Sequence, residues 1–240
     1  MFQALQDKTQ IEVAREELKK RNISAITPEW KRKLARFRIC TGVQLGDHIK
    51  SWDVLKTVQF IEQNVAKDAA ILDHGAYASE VPAILHKMGY KDIYGIDFDT
   101  NIVNMPYADS IQYAVGNFYE PPYEAGKFSA ITSISVIEHG FDAEKLFSSV
   151  ANLLKSGGYF VCSFDYWPQG VDTSQERLFG MSWTIFSDDE VINFLKVAEK
   201  YGLTLSQSTD IKANRVQSQK APIHYLNRDY TFGWMVLRKA

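Results

Sequence analysis

Two acidic residues, each at the end of a short apolar run, are the first candidates for chemistry. Asp73 closes the run that begins at Ala69, and Asp97 closes the run that begins at Asp92. Gly75 follows the first acid, and Ser79-Glu80-Val81-Pro82 then predicts a helix start. A strand, a tight turn and a helix form the arrangement in which backbone N–H groups face a bound anion. The step from position 73 to position 97 is close to the roughly 20 residues expected when the second acid binds a ribose.

The residues after the glycine turn narrow the choice of ligand. Tyr77 and Ser79 stand where a dinucleotide-binding turn has further glycines. A dinucleotide needs bare backbone against its pyrophosphate, so Tyr77 disfavours NAD and FAD. The turn alone is also compatible with a βα connection that binds no cofactor.

Four further stretches follow in order. Gly116-Asn117-Phe118 comes after a third apolar run, and Asn117 can accept a hydrogen bond or simply form a turn. The run Phe128–Ile137 ends in Glu138-His139-Gly140. The segments 153–159 and 230–239 have the pattern of a helix-to-strand turn and of a closing strand.

Together these motifs resemble the class I S-adenosylmethionine-dependent methyltransferases, from about residue 50 to residue 240. The sequence departs from the family pattern at Tyr77 and Ser79, at Asn117 in place of an acid, and at Ser156 in place of proline. The resemblance implies S-adenosyl-L-methionine as cofactor. It implies cofactor contacts from Asp73, His74, Gly75, Ala76, Asp97, Phe98, Asn117, Phe118 and Ser135, and substrate contacts from Glu138, Asp165 and Tyr166.

His139 is the candidate general base, because histidine titrates near neutral pH and would lie at the rim of the fourth strand. A structural histidine bonded to a loop is the open alternative. The sequence has no carboxylate and histidine cluster with the spacing of metal ligands, so we expect no metal.

Composition and charge exclude several classes of function. The 27 lysines and arginines are balanced by 29 acids, for a net charge of −2, which gives no basic surface for nucleic acid. Cys40 and Cys162 lie far apart and predict reduced thiols. No stretch is apolar enough to span a membrane and no signal peptide is recognisable, so we expect a cytoplasmic protein, monomeric or homodimeric, that binds neither membrane nor nucleic acid.

The elements predict two parts. Residues 1–66 are expected to form an N-terminal helical cap or lid, with helices over 10–22, after Thr27 as N-cap and after Ser51 as N-cap. Residues 67–240 are expected to form the cofactor-binding domain, a Rossmann-like, doubly wound α/β fold whose seven-stranded, mostly parallel sheet has an antiparallel edge strand. Gly157-Gly158 is expected to end a helix, residues 167–186 to form a lid or substrate-binding loop, and Ser187 to Glu190 to form a capping box.

The sequence therefore favours methyl transfer to an oxygen or nitrogen of a small molecule or saccharide precursor. A non-catalytic binding or interaction module with the same fold is the main alternative, since Tyr77, Ser79 and Asn117 depart from the family pattern. A nicotinamide-dependent oxidoreductase is a third, which Tyr77 and the lack of a Tyr-x-x-x-Lys pair disfavour.

Overall fold

The computed structural model describes residues 1–37, 42–140, 142–218 and 220–240, so Cys40 lies outside the described residues. The helices are α1 (Thr9–Lys20), α2 (Glu29–Arg36), α3 (Ser51–Asn64), α4 (Val81–Lys87), α5 (Ala143–Leu153) and α6 (Asp188–Lys200). The strands are β1 (Phe2–Ala4), β2 (Ile71–His74), β3 (Ile93–Asp97), β4 (Ile111–Val115), β5 (Phe128–Ile134), β6 (Leu154–Tyr166), β7 (Arg177–Leu178), β8 (Met181–Ser182), β9 (Leu203–Leu205), β10 (Ile223–Tyr225) and β11 (Arg228–Lys239).

A single large sheet has the order β1-β11-β6-β5-β2-β3-β4. Strands β2 to β6 pair in parallel, and β11 pairs antiparallel with β6. All four residues of β2 are buried, as a parallel strand with helices on both faces requires. The predicted Rossmann-like α/β fold with a mostly parallel sheet and an antiparallel edge is confirmed.

The antiparallel edge is built from more segments than the sequence indicates. Strand β1 pairs with β11 around Met235, while β9 pairs with the end of β11 at Lys239 and β10 with its start. Phe2 and Ala4 are both buried against the sheet. Residues 2–4 therefore belong to the sheet rather than to a helical segment, because their alternating apolar side chains fill the edge of the core. Among the described residues, no helix is both long and apolar enough to cross a membrane.

Three local predictions are wrong. Pro28, not Thr27, precedes α2, and the Thr27 hydroxyl instead accepts a hydrogen bond from the Leu45 N–H at 2.7 Å. Ser51 is the first residue of α3, not its N-cap, and its hydroxyl donates to the His48 carbonyl. Gly157 and Gly158 lie inside the long strand β6, since α5 already ends at Leu153.

One other local prediction is confirmed, and one remains untested. Ser187 and Glu190 form the capping box at the start of α6. The segment 167–186 contains the small β7–β8 hairpin and reaches the rim of the sheet, where His139 bridges to Trp183. Whether it acts as a lid stays a prediction, as does the domain boundary at residue 66.

The N-terminal helices are attached to the sheet by a buried ion pair. Arg15 in α1 and Glu80, just before α4, are 1% and 0% exposed at their side chains and form two hydrogen bonds of 2.6 and 2.9 Å. Arg15 also donates to the hydroxyls of Ser51 and Ser24. A carboxylate that accepts both prongs of a guanidinium fixes position and orientation together, so this pair sets how the N-terminal segment covers the glycine turn.

Glu80→Ala is expected to lower the free energy of unfolding by about 3–5 kcal/mol, because it leaves the Arg15 charge buried without its partner. Urea unfolding of the purified variant measures the change. Glu62→Ala is the control, since Glu62 pairs with Arg21 at the surface and its loss should cost at most about 1 kcal/mol. Equal losses in the two variants would contradict a special role for the buried pair.

Candidate active site

The carboxyl ends of the parallel strands bring most of the predicted site residues to one edge of the sheet. Asp73 and His74 end β2, Asp97 ends β3, and Ser135 follows β5. Strands β5, β2 and β3 are neighbours in the sheet, so these side chains share one rim. This is the edge at which open α/β sheets bind their ligands.

The turn after β2 requires glycine at its first position. Gly75 has a φ of 67°, and a Cβ there would lie 2.3 Å from Cγ2 of Val136, in the segment after β5. Both the left-handed backbone and the close contact exclude a side chain. The turn and the segment after β5 are therefore packed directly against each other.

The backbone N–H groups of this turn are bonded inside the protein, contrary to the expectation that they face an anion. Gly75 and Ala76 both donate to the carbonyl of Ile96, at 3.0 and 3.1 Å. Tyr77 donates to the Asp97 carboxylate. Helix α4 begins at Val81 and has only seven residues, and the Val81 N–H donates to the Ser79 hydroxyl. This turn has no open cradle for a pyrophosphate, which agrees with the expectation that Tyr77 disfavours a dinucleotide.

Asp97 keeps part of its hydrogen-bonding capacity. One carboxylate oxygen accepts the Tyr77 N–H at 3.0 Å and the other accepts the Asp99 N–H at 2.8 Å. An ionised carboxylate has about four acceptor positions, so two remain for donors such as ribose hydroxyls. The side chain is half-buried at the rim. Asp97 is thus held in place by the glycine turn and is still able to bind a ligand.

Asp73 and His74 are buried and carry polar atoms without partners among the described residues. These atoms are Oδ2 of Asp73 and both ring nitrogens of His74. Burial raises the pKa of Asp73 to about 7, although the Thr132 hydroxyl donates a hydrogen bond to it. Burial lowers the pKa of His74 to about 3, so this ring is neutral. Buried polar atoms normally have partners, and those that lack one indicate a place for a ligand or a bound water.

Among the aromatic residues predicted to contact the cofactor, His74 and Phe118 are stacked, and Phe98 lies tilted beside Phe118. The rings of His74 and Phe118 are 5.1 Å apart and nearly parallel, and Phe98 lies 6.1 Å from Phe118. Phe98 is 56% exposed and can cover a flat ligand. The amide oxygen of Asn117 accepts the Tyr119 N–H at 2.8 Å, so Asn117 forms the turn that the sequence left as its alternative reading.

His139 lies at the rim beyond β5, next to the 167–186 segment. Its ring contacts Phe179, and its Nδ1 has no hydrogen-bond partner in the described part of the chain. Burial, assisted by the positive charge of Lys50, lowers the pKa of His139 to about 4. The ring is therefore neutral at pH 7, and it can accept a proton but holds it weakly.

The predicted substrate residues separate into two places. Glu138 and Asp165 are buried close to Lys50, whose ammonium lies 3.7 Å from Oδ1 of Asp165. Tyr166 points to the other side of β6, since neighbouring residues of a strand alternate. Its hydroxyl donates to Asp188 at 2.5 Å and its ring packs against Phe2. The structure therefore places Tyr166 in the core, apart from Glu138 and Asp165.

Four residues beside Glu138 and Asp165 were not predicted as site residues from the sequence. The Ser163 hydroxyl donates to Asp53 at 2.7 Å, and the Trp183 indole donates to Asp165 at 2.7 Å. Lys50 and Asp53 come from the turn and helix before the first parallel strand. Acidic residues are common in the first turn of a helix, because the helix dipole stabilises them there. In the sequence, Asp53 therefore cannot be distinguished from such a residue.

The residues at the rim fit S-adenosylmethionine better than a dinucleotide. Two acceptor positions remain on Asp97, unpartnered polar atoms lie on Asp73 and His74, and Phe98 is exposed beside them. The cofactor has no phosphate, so bonded N–H groups in the turn are no obstacle. Among the described residues, no group of three His, Cys, Asp or Glu side chains could hold a metal ion.

Comparison with known proteins agrees with this class of site. Residues 72–162 match the family model described as a methyltransferase domain. No curated protein matches the chain. Both findings concern the sequence alone.

Solved structures show the same fold at low sequence identity. A Galdieria sulphuraria protein provisionally described as a sarcosine dimethylglycine methyltransferase has a TM-score of 0.57 and 18% identity, covering 89% of this chain and 99% of its own. Geranyl diphosphate C-methyltransferase from Streptomyces coelicolor, with Mg²⁺, geranyl diphosphate and S-adenosyl-L-homocysteine, has a TM-score of 0.56 and 14% identity, covering 89% and 100%. The [4+2]-cyclase SpnF has a TM-score of 0.57 and 12% identity, covering 81% and 84%.

The match of residues 72–162 to a methyltransferase domain supports the expected cofactor, S-adenosylmethionine, and the solved structures show the shared fold. The sequence-based expectation for the cofactor is confirmed at this level. The roles of the individual site residues stay predictions.

Gly75→Ala is expected to weaken binding of S-adenosylhomocysteine at least tenfold and to destabilise the fold, because the new methyl group overlaps Val136. Gly126→Ala is the matched control, since Gly126 has a φ of 66° but open space around it. This control should cost only the roughly 1–2 kcal/mol of a left-handed residue. Calorimetric titration and urea unfolding compare the two variants, and equal behaviour would refute the close contact.

Proposed function

We propose that this protein transfers a methyl group from S-adenosylmethionine to an oxygen or nitrogen atom of a small molecule or a saccharide precursor. The observation that carries the proposal is the half-bonded Asp97 carboxylate, fixed by the glycine turn and next to unpartnered polar atoms at the same rim. The match of residues 72–162 to a methyltransferase domain supports it.

The cofactor residues would act by binding and orientation. Asp97 would accept the ribose hydroxyls, while Phe98 and Phe118 would cover the adenine. Asp73, His74, Gly75 and Ala76 would form the wall nearest the reacting end. When bound, S-adenosylmethionine supplies a methyl group on a cationic sulfur. The protein then needs to hold the acceptor in line with this methyl and keep water out.

The acceptor would lie near His139, Glu138 and Asp165. A hydroxyl acceptor must lose a proton, and the neutral His139 ring can take it, because Nδ1 has no hydrogen-bond partner within the described part of the chain. Ser135, with a φ of 53°, would sit between the cofactor and acceptor sides. A diphosphate acceptor like the one bound by the Streptomyces enzyme would meet the carboxylates of Glu138 and Asp165, which disfavours it here.

The second candidate is a non-catalytic binding module with the same fold. The internal bonding of the N–H groups at Gly75, Ala76 and Tyr77 favours it, as does the Asn117 oxygen that is used in a turn. The [4+2]-cyclase among the neighbours shows that this fold also serves proteins named for other activities. Titration with S-adenosylhomocysteine separates the candidates, because only an intact cofactor site binds it.

Asp97→Ala is expected to weaken binding of S-adenosylhomocysteine by about 1.5–3 kcal/mol, the range for hydrogen bonds to a charged group. Calorimetry measures the affinity. Asp99→Ala is the control, because the Asp99 carboxylate accepts hydrogen bonds from the backbone and side chain of Asn101 in the next turn. This variant should leave the affinity unchanged. Unaltered binding in the Asp97 variant would remove Asp97 from the cofactor site.

If His139 is the general base, His139→Ala is expected to slow methyl transfer to the acceptor, measured as formation of S-adenosylhomocysteine, by roughly 10²–10⁴-fold. The rate is measured with acceptors found by screening hydroxyl and amino compounds. His86→Ala is the control, since His86 lies in α4 against Tyr107. Full activity in the His139 variant would show that His139 is not the general base and has a structural role.

A further inference from the structure

Four charged side chains meet beneath the N-terminal segment, at the rim of β5 and β6. Asp53, Glu138 and Asp165 are 0%, 1% and 4% exposed, and we call these three with Lys50 the acidic cluster. They come from different parts of the chain: the turn before α3, its first helical turn, the segment after β5 and the end of β6. The Lys50 side chain is 23% exposed, so the cluster reaches solvent there.

The charges of the acidic cluster do not balance. Three carboxylates face one ammonium, which leaves two negative charges in excess when all groups are ionised. Burial raises the pKa of Asp53 to about 6, and burial together with the Asp165 charge raises the pKa of Glu138. Burial also raises the pKa of Asp165. Burial opposes the charge on Lys50, but the surrounding carboxylates outweigh it and raise the Lys50 pKa. An added positive charge would therefore be stabilised here.

The hydrogen bonds of the acidic cluster are also incomplete. Asp53 accepts the Ser163 hydroxyl, and Oδ2 of Asp165 accepts the Trp183 indole. Oε2 of Glu138 and Oδ1 of Asp165 have no hydrogen-bond partner among the described residues. Buried polar atoms in folded proteins normally have a hydrogen-bond partner. These two oxygens can therefore accept hydrogen bonds from a bound ligand.

Lys50 does not fill this role. Its ammonium is 3.7 Å from Oδ1 of Asp165, beyond hydrogen-bond distance, and lies 4.0 Å from the centroid of the Phe232 ring. The aromatic face stabilises the ammonium in that position. Lys50 thus reduces the excess charge without satisfying Glu138.

We propose that the acidic cluster binds a cationic nitrogen of the acceptor substrate, with Glu138 and Asp165 as its direct partners. This inference rests on the proposed methyltransferase function and narrows its acceptor to a small molecule that carries an ammonium group. A protonated amine supplies both the missing charge and the missing N–H donors. An anionic acceptor would add to the negative excess.

Trp183 belongs both to the surroundings of the cluster and to the lining of a cavity, although no member of the cluster lines that cavity. Trp183, which donates to Asp165, also lines a cavity of about 400 Å³ formed by residues of the 171–190 segment. This volume is in the range of small-molecule sites. The substrate's uncharged part would lie against this segment while its nitrogen contacts the carboxylates.

Selectivity for charge tests the proposal. Ligand-observed NMR at pH 7 measures binding of n-butylamine, n-butanol and butyrate to the full chain, with and without saturating S-adenosylhomocysteine. Butylamine is expected to bind at least tenfold more tightly than the alcohol or the carboxylate. Equal binding of amine and alcohol, or preference for butyrate, would overturn the proposal.

Variants locate the bound amine. Glu138→Gln and Asp165→Asn are each expected to weaken butylamine binding at least tenfold, because they keep the shape and remove the charge. Asp189→Asn is the control, since Asp189 is 89% exposed at its side chain and should leave binding unchanged. Thermal unfolding checks that each variant is folded. If one variant does not fold, the other and the selectivity of the unmodified protein decide.

The two proposals fail in different ways. Absence of S-adenosylhomocysteine binding would refute the methyltransferase function, whatever the amine does. Binding of S-adenosylhomocysteine without selective binding of butylamine would refute the cationic acceptor alone. Amine binding that survives both carboxylate substitutions would also refute it, because the nitrogen would then lie elsewhere.

Discussion

The buried ion pair of Arg15 and Glu80 is the constraint on which the rest of the site depends. It joins α1 to the residue just before α4, and through Ser51 it also positions the start of α3. A charge pair that is removed from water holds its geometry closely, because either partner alone would be strongly unfavourable. Lys50 and Asp53 lie within two residues of Ser51, so the ion pair also positions these two members of the acidic cluster. The N-terminal segment therefore completes a site whose other half belongs to the sheet.

At one edge of the sheet, several buried polar side-chain atoms have no hydrogen-bond partner among the described residues. Among the described residues, atoms without a hydrogen-bond partner occur on Asp73, His74 and Ser133, at the carboxyl ends of β2 and β5, and on Glu138 and His139, in the segment that follows β5. Each such atom costs stability, and the well-packed strands beneath offset this cost. The same edge in related folds holds the ligand. The stability lost through these unpartnered atoms can therefore be regained when a ligand binds at this edge.

The sequence predicts β2 and β3 well because each is a buried apolar run that ends in polar residues. Asp73 and Asp97 were recognised for that reason. It could not predict β1, since Phe2–Ala4 is too short to show a period, nor Lys50 and Asp53, whose neighbours in space are more than 80 positions away in the chain. The bonding of the turn N–H groups also depends on the register of β2 with β3. Tertiary placement decides these features, and local pattern does not report it.

Tyr77 and Ser79 can stand in place of glycines because this turn is supported in another way. The Gly46 N–H donates to the Ala78 carbonyl at 2.7 Å, so the N-terminal segment lies on the turn itself. Together with the bonds from Gly75 and Ala76 to Ile96, this contact makes the turn a closed, rigid wall rather than a cradle for phosphate. In the proposed cofactor site, a ligand beside such a wall would be held by side chains, above all by Asp97. The proposed acceptor side follows the same logic, with carboxylates of Glu138 and Asp165 in place of backbone groups. If both proposals hold, recognition by charge at both ends of the site follows from how the N-terminal segment packs on the sheet.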